Sequence, residues 1–450
     1  MVPRVGKASN RVRLAIVCAV LAALAGGIAS ARSGLSGSAS ASSNPPRGSA
    51  AAPAAQRDGQ PPSHGGTPRR AKSVSSECAA TVTDTLGQVA ERVYHEGVAS
   101  ERTGTAASFI ARSIPLREAV EREEGPAARI AARALLATGH LTNLEVTRNG
   151  RVLASVGPAR ALAPLRGSIL DAAGAPIASY VASVWTDDGL VDETNGIAQG
   201  MTELRQDGRD VAGSLRLPGR ALPAQGQLTA SGVRYRFTSF PASAYPGGEG
   251  VRVYVLKALA SMASLCGSSQ RGTLVNTLGR VASLIYAGEV GNRAQVQVRR
   301  VQHNEALLRA VAAREPEATR LAIDKLLNEH IVRLRASAGG QLLSDVGGPF
   351  VLGPVRAPLR WQGRRIGSFV LSIQDDIGYL KLADRLAGLK VAMYREGRLV
   401  MSSLRPAPER VPASGSFAWD GRSYGVYTVH AQAFPAGALR IAVLIPLPYA

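Results

Sequence analysis

Arginine beside aromatic and carboxylate side chains is the chemistry this 450-residue chain offers a ligand. One set is Arg360, Trp361, Asp376, Tyr379 and Tyr394. Another, about 190 residues earlier, is Arg166, Trp185, Asp187 and Arg205. A guanidinium grips a carboxylate through two parallel hydrogen bonds and stacks on aromatic faces. Either set therefore suits a small carboxylate-bearing ligand such as an amino acid, with an aspartate to meet an ammonium. Core and sheet-edge packing is the plainer account of the aromatics. Helix capping is the plainer account of Asp187-Asp188 and Asp375-Asp376. His140 and His330 hold equivalent places before a first strand, where a shared structural task such as capping a helix C-terminus fits. The chain has no G-x-S-x-G, H-E-x-x-H, C-x-x-C or phosphate-cradling glycine loop. It is read as no enzyme, with no metal and no cofactor.

These positions come in pairs because the sequence repeats. I-A-S-Y-V-A-S-V from Ile177 answers I-G-S-F-V-L-S-I from Ile366, an offset of 189. Asp207-Gly208-Arg209 answers Glu396-Gly397-Arg398, Tyr235 answers Tyr424, and Tyr245-Pro246 answers Phe434-Pro435. Upstream, Gly157 pairs with Gly347, and Thr85-Leu86-Gly87 with Thr277-Leu278-Gly279. Solenoid units run to roughly 20–50 residues, so this period marks a duplicated domain.

Each copy reads as helices followed by hairpins. Val82, Leu86, Val89 and Val93 form an apolar seam, and Leu274, Leu278, Val281 and Ile285 keep its spacing. Helices are expected over 106–112, 116–123 and 127–136, then over 307–314 and 317–328. Asn149-Gly150 and Gly339-Gly340 read as tight hairpin turns. A second hairpin ends in strand 177–185 or 366–374, a short helix covers 187–199 or 375–387, and two more hairpins follow. The expected class is α+β, with helices on one face of an antiparallel sheet.

This order, with Gly340-Gln341-Leu342-Leu343-Ser344 and the run Gly363 to Ile373, G-R-R-I-G-S-F-V-L-S-I, resembles extracellular Cache sensor domains, which have a PAS-like fold. The first copy matches through Gly150–Ser155 and Gly174–Val181. The resemblance spans about residues 78–256 and 266–446. It implies tandem ligand-sensing modules outside the membrane, with the pocket between sheet and short helix.

The remaining features set compartment and partners. Basic residues up to Arg13 precede an apolar run over 14–29, with Ala29-Ser30-Ala31 offering a cleavage site. Residues 1–31 are read as a signal peptide or membrane anchor, and 32–75 as a disordered Ser/Ala/Gly/Pro linker. The modules are 76–256 and 257–450. About +9 of the formal +20 charge lies before residue 76. The rest suits a solvated basic surface better than nucleic acid. Cys78 and Cys266, just before the two seams, form a bridge if the seams pack side by side, and are otherwise two buried thiols. The seams could also pair two chains as a homodimer. The expected function is an extracytoplasmic sensor that binds a small molecule and works through an unidentified signalling partner. The alternative is an adhesive or structural envelope protein.

Overall fold

The 4-3-4 spacing of the first seam yields one 24-residue helix, α1 (Ser76–Ala99), with Ser75 as its cap: the Ser75 hydroxyl accepts from the Cys78 amide. The structure is a computed structural model and describes residues 74–137, 140–327 and 330–449. After α1 come α2 (Glu101–Ala111), α3 (Ile114–Glu121) and α4 (Gly125–Leu136). Strands β1 (Asn143–Arg148), β2 (Arg151–Val156), β3 (Ala161–Leu170) and β4 (Pro176–Thr186) precede α5 (Asp187–Ala198). The first half closes with β5 (Met201–Gln206), β6 (Arg209–Ala212), β7 (Gln225–Ala230), β8 (Val233–Ser243) and β9 (Gly250–Ala258). The second half repeats that order. Its helices are α6 (Gln270–Val290), α7 (Asn292–Gln302), α8 (Glu305–Ala313) and α9 (Pro316–Leu327). Strands β10 (Arg333–Ala338), β11 (Gln341–Gly347), β12 (Val355–Trp361) and β13 (Arg364–Ser372) lead to α10 (Asp376–Ala387). The chain then runs through β14 (Lys390–Arg395), β15 (Arg398–Ser402), β16 (Gly415–Trp419), β17 (Arg422–Gln432) and β18 (Ala438–Leu447).

The class is α+β and every ladder is antiparallel, but each half holds two sheets where the sequence reading expects one. The orders are β2-β1-β4-β3 and β6-β5-β9-β8-β7, then β11-β10-β13-β12 and β15-β14-β18-β17-β16. The physical cause is the short helix. Thr186 and Asp375 cap α5 and α10, turn the chain out of the first ladder, and a second ladder starts beyond the helix. Isolated bridges Leu162–Ala244 and Leu352–Ala433 join the sheets of each half. Strands β7 and β16 and helix α7 are additions to the sequence reading. Strand β7, Q-G-Q-L-T-A, has one large apolar residue to announce it.

The repeated residues sit where the backbone comes close. An added Cβ at Gly87 would stand 2.3 Å from Thr238 Cγ2 on β8, and one at Gly279 2.2 Å from the Tyr427 ring on β17. Glycine therefore lets α1 and α6 press onto their five-stranded sheets. Gly157 (φ +109) and Gly347 (φ +120) combine left-handed backbone with a carbonyl 2.4 and 2.3 Å from where Cβ would be. Tyr94 Oη accepts from the Ser243 amide at 2.9 Å, and Tyr286 Oη from the Gln432 amide at 3.1 Å.

The largest apolar core spans both halves. Val82, Leu86, Val89 and Val93 are buried together with Leu278, Val281, Ile285, Leu382 and Leu386. Helix α1 packs on α6, α10 and α5. Cys78 and Cys266 are disulfide-bonded, with Cα atoms 5.6 Å apart, at the N-terminal ends of the seam helices. Both seams thus pack against one another inside one chain. The expected signal or anchor and the linker over 1–73 lie outside the described residues. Among the described residues no helix is long and apolar enough to cross a membrane.

Candidate functional site

The nine ligand candidates do not share one cavity among the described residues, and most have structural partners. Arg205 is 3 % exposed on β5. It pairs with Asp210 at 2.9 Å and donates to the carbonyls of Arg220, Pro218 and Gly208, so it staples the loop beyond β6. Arg166 donates to the Pro246 and Gly247 carbonyls at 2.9 Å. Its counterpart contact in the second half is Arg356 to the Pro435 carbonyl, at 2.7 Å. Tyr379 is fully buried and donates to the Ala282 carbonyl at 3.1 Å, tying α10 to α6. Tyr394 belongs to the other face of its sheet, under Arg440 at 4.3 Å, and donates to the Pro408 carbonyl. Arg360 is exposed and Trp361 half-buried at the tip of the β12–β13 hairpin, on an edge strand.

The two candidate aspartates, Asp187 and Asp376, are buried, while the capping expected of Asp375 is met. Thr186 Oγ1 accepts from the Gly189 amide and caps α5, so Asp187 is its buried first residue. Burial pushes the Asp187 carboxyl up, with Arg160 opposing. Asp375 caps α10, and Asp376 accepts from the Val351 amide at 3.1 and 3.2 Å, which binds the β11–β12 loop to the helix. Burial pushes the Asp376 carboxyl up to about 6, against the Val351 amide.

Among the nine candidates, Trp185 lines a cavity between the halves. It ends β4, against α1, and its Nε1–H is buried and meets no acceptor. Gly97 makes room for the ring: a Cβ there would stand 2.0 Å from Nε1. The cavity measures about 50 Å³ and is mostly apolar. Its walls are Val93, Glu96, Gly97 and Ser100 of the α1 end, His140, Val184 and Trp185 of β4, Glu193 of α5, and Leu382 and Leu386 of α10. Both halves therefore contribute. Two carboxylates line it, each reaching an arginine of the second half: Glu96 to Arg385 at 3.1 Å and Glu193 to Arg293 at 3.8 Å. Burial raises both carboxyls, and the arginines oppose it. Glu96 and Arg385 also line an outer groove of about 500 Å³ with Gln88, Glu91, Arg92, His95 and Ala99, so Glu96 borders both groove and cavity.

His140 is not a cationic helix cap. Its Nε2 lies 2.8 Å from Thr103 Oγ1, whose hydroxyl donates to the Gly97 carbonyl at 2.6 Å. With that hydroxyl proton committed, His140 Nε2 is the donor to Thr103 Oγ1. Burial, with Arg102 nearby, pushes it down to about 4. His330 is exposed with a left-handed backbone, so the two histidines do different work. Glu96, Gly97 and Glu193 were missed in the sequence reading. Their one signal is that the repeat breaks there: Gly288, Glu289 and Leu382 are the counterparts.

No family model matches the chain, and no curated protein matches it. Solved structures do. The periplasmic domain of Vibrio cholerae LuxQ is 9% identical, covering 40% of this chain and 99% of its own, with a TM-score of 0.28. An extracellular ligand binding receptor from Desulfohalobium retbaense is 12% identical over 50% of this chain and 47% of its own, at 0.25. The ligand binding domain of the Pseudomonas aeruginosa amino acid chemoreceptor PctC, in complex with GABA, is 13% identical over 38% and 98%, at 0.22.

Proposed function

We propose that this chain is an extracytoplasmic ligand-binding sensor built of two Cache-like, PAS-like modules over 76–256 and 257–450, each a pair of antiparallel sheets. It takes a small molecule at the junction of the halves and acts through a partner protein rather than by catalysis. The observation that carries this reading is the cavity walled by α1, β4 and α5 of one half and α10 of the other. An occupant there touches both halves, so filling it shifts how they seat on one another. The disulfide holds the far end of α1 to α6 and fits an oxidising compartment outside the cytoplasm. The reading stands on this geometry and not on the structural likenesses.

The adhesive alternative has an observation of its own. Ile130 and Val152 are exposed in the first half, and Leu321 and Leu342 are exposed at the matching places in the second. Paired apolar patches of this kind suit contact with another macromolecule.

A thermal-shift screen of the full chain against amines, amino acids, alcohols and short acids tests the sensor reading. At least one compound of up to about six heavy atoms raises Tm, and Leu386→Phe, which fills the cavity, abolishes that shift. A shift that survives the filled cavity, or no shift in the whole set, contradicts the reading.

A further inference from the structure

We propose that the junction cavity binds a short amino alcohol, an ammonium group with a hydroxyl about two carbons away. The proposal rests on the reading of this cavity as the ligand site, and three properties of its wall select the class.

The first is charge. The ionisable groups lining it are Glu96, Glu193 and His140. His140 is pushed down to about 4 and carries no charge at neutral pH. The wall thus offers carboxylates and no lining cation. Glu193 stands 3.8 Å from Arg293, beyond hydrogen-bond reach, so its oxygens keep lone pairs for a donor. An ammonium supplies that donor and offsets the cost of holding a half-buried carboxylate. The same carboxylate repels the carboxylate-bearing ligand that the arginine sets suggest, and those arginines are elsewhere.

The second is the Trp185 Nε1–H, buried without an acceptor. A buried donor left unpaired is costly, and an ammonium cannot serve it. A ligand hydroxyl can, once the Trp185 ring turns on binding, because Nε1 is sealed from solvent against Gly97 in this structure. The third is size and lining. Some 50 Å³ holds roughly three to five water-sized groups. Val93, Val184, Leu382 and Leu386 give a methylene stem apolar contact. Ethanolamine, with four heavy atoms, meets all three conditions.

Glu96 lines both the cavity and the outer groove, where it pairs with Arg385.

The test is isothermal titration calorimetry of the full chain at pH 7.5. The probes are ethanolamine, propylamine, propan-1-ol and propionate, all of similar size. Ethanolamine is expected to bind saturably and propylamine about fivefold or more weaker, the cost of one unmade hydrogen bond. Propan-1-ol and propionate are expected to give no saturable heat. Glu193→Gln should weaken ethanolamine at least tenfold, while the exposed control Glu317→Gln leaves it unchanged. Trp185→Phe keeps the ring, removes the donor and should bring ethanolamine down to the propylamine level. Tightest binding by propan-1-ol or propionate, or equal ethanolamine affinity in Glu193→Gln, overturns the amino-alcohol assignment while leaving a ligand site in place. Silence from all four probes overturns the assignment too. If the wider thermal-shift screen is silent as well, the site itself falls.

Discussion

Where α1 meets β4 and α5, the first half places Glu96, Gly97, Trp185 and Glu193. Where α6 meets β13 and α10, the second half has Gly288, Glu289, Gln374 and Leu382. The scaffold around both corners is the same. Ser183 Oγ bonds the Leu162 and Trp185 carbonyls, and Ser372 Oγ bonds those of Leu352 and Gln374. The contents part at the next residues. Trp185 leans on Gly97 of α1 and leaves a cavity, whereas Gln374 is buried against Gly378 in the first turn of α10. Glu193 and Leu382, equivalent by the repeat, line the same cavity from opposite halves. A duplicated frame has kept its backbone contacts while one corner holds a cavity beside Trp185 and the other packs Gln374 against Gly378.

The largest expected effect comes from cutting the two halves loose. Replacing both Cys78 and Cys266 by serine opens a link across 188 residues, worth about 5 kcal/mol in chain-entropy terms. Denaturant unfolding should show a loss approaching that figure, and a loss under about 1 kcal/mol would mean that the shared core alone fixes the junction. Next comes the pressure of each long helix on its sheet. Alanine regains about 1 kcal/mol of helix propensity at either glycine. Gly279→Ala meets the Tyr427 ring, and Gly87→Ala meets a threonine methyl that can rotate. Overpacking costs roughly 1–3 kcal/mol, so Gly279→Ala should lose about 2 kcal/mol net and Gly87→Ala under about 1. The reverse order would overturn the account of the repeated Thr-Leu-Gly.

Acidification should separate the halves by sign. Asp376, raised to about 6, holds a proton in the folded chain that the unfolded chain has shed, so its contribution falls as pH climbs from about 4 to 6. His140, lowered to about 4, stays neutral folded while the unfolded chain takes a proton below about 6.5. Its contribution falls as pH drops through that window. Urea midpoints from pH 4 to 7 should shift in opposite senses for Asp376→Asn and His140→Gln relative to the parent chain. Equal signs would contradict the burial of one or the other. The smallest effect belongs to the matched tyrosines. Tyr94→Phe and Tyr286→Phe each leave a strand amide unpaired and should cost about 1 kcal/mol alike. A gap above about 2 kcal/mol between them would break the equivalence of the halves.

The fold was legible where the cause is local. Asn149-Gly150, Asp207-Gly208 and Glu396-Gly397 all take the left-handed backbone that such turns need, and the seam spacing gave α1 and α6. The split into two sheets was not legible, because it depends on which ladder a strand joins after the short helix. The site was legible only at Trp185, whose mismatch with Gln374 marks a break in the repeat. Arg205, Tyr379 and Tyr394 looked like ligand groups by type. Their carbonyl partners, supplied by Arg220, Ala282 and Pro408, could not be read from spacing.

The three tryptophans, Trp185, Trp361 and Trp419, report on three separate places: the junction cavity, a hairpin tip of the second half and the edge strand β16. Fluorescence titration decides between them. Variants retaining one tryptophan each are titrated with whichever compound gives the largest thermal shift. The account predicts a saturable change in Trp185 emission, with Trp361 and Trp419 unmoved. A saturable change at Trp361 or Trp419 with Trp185 silent would place the ligand outside the junction and contradict it.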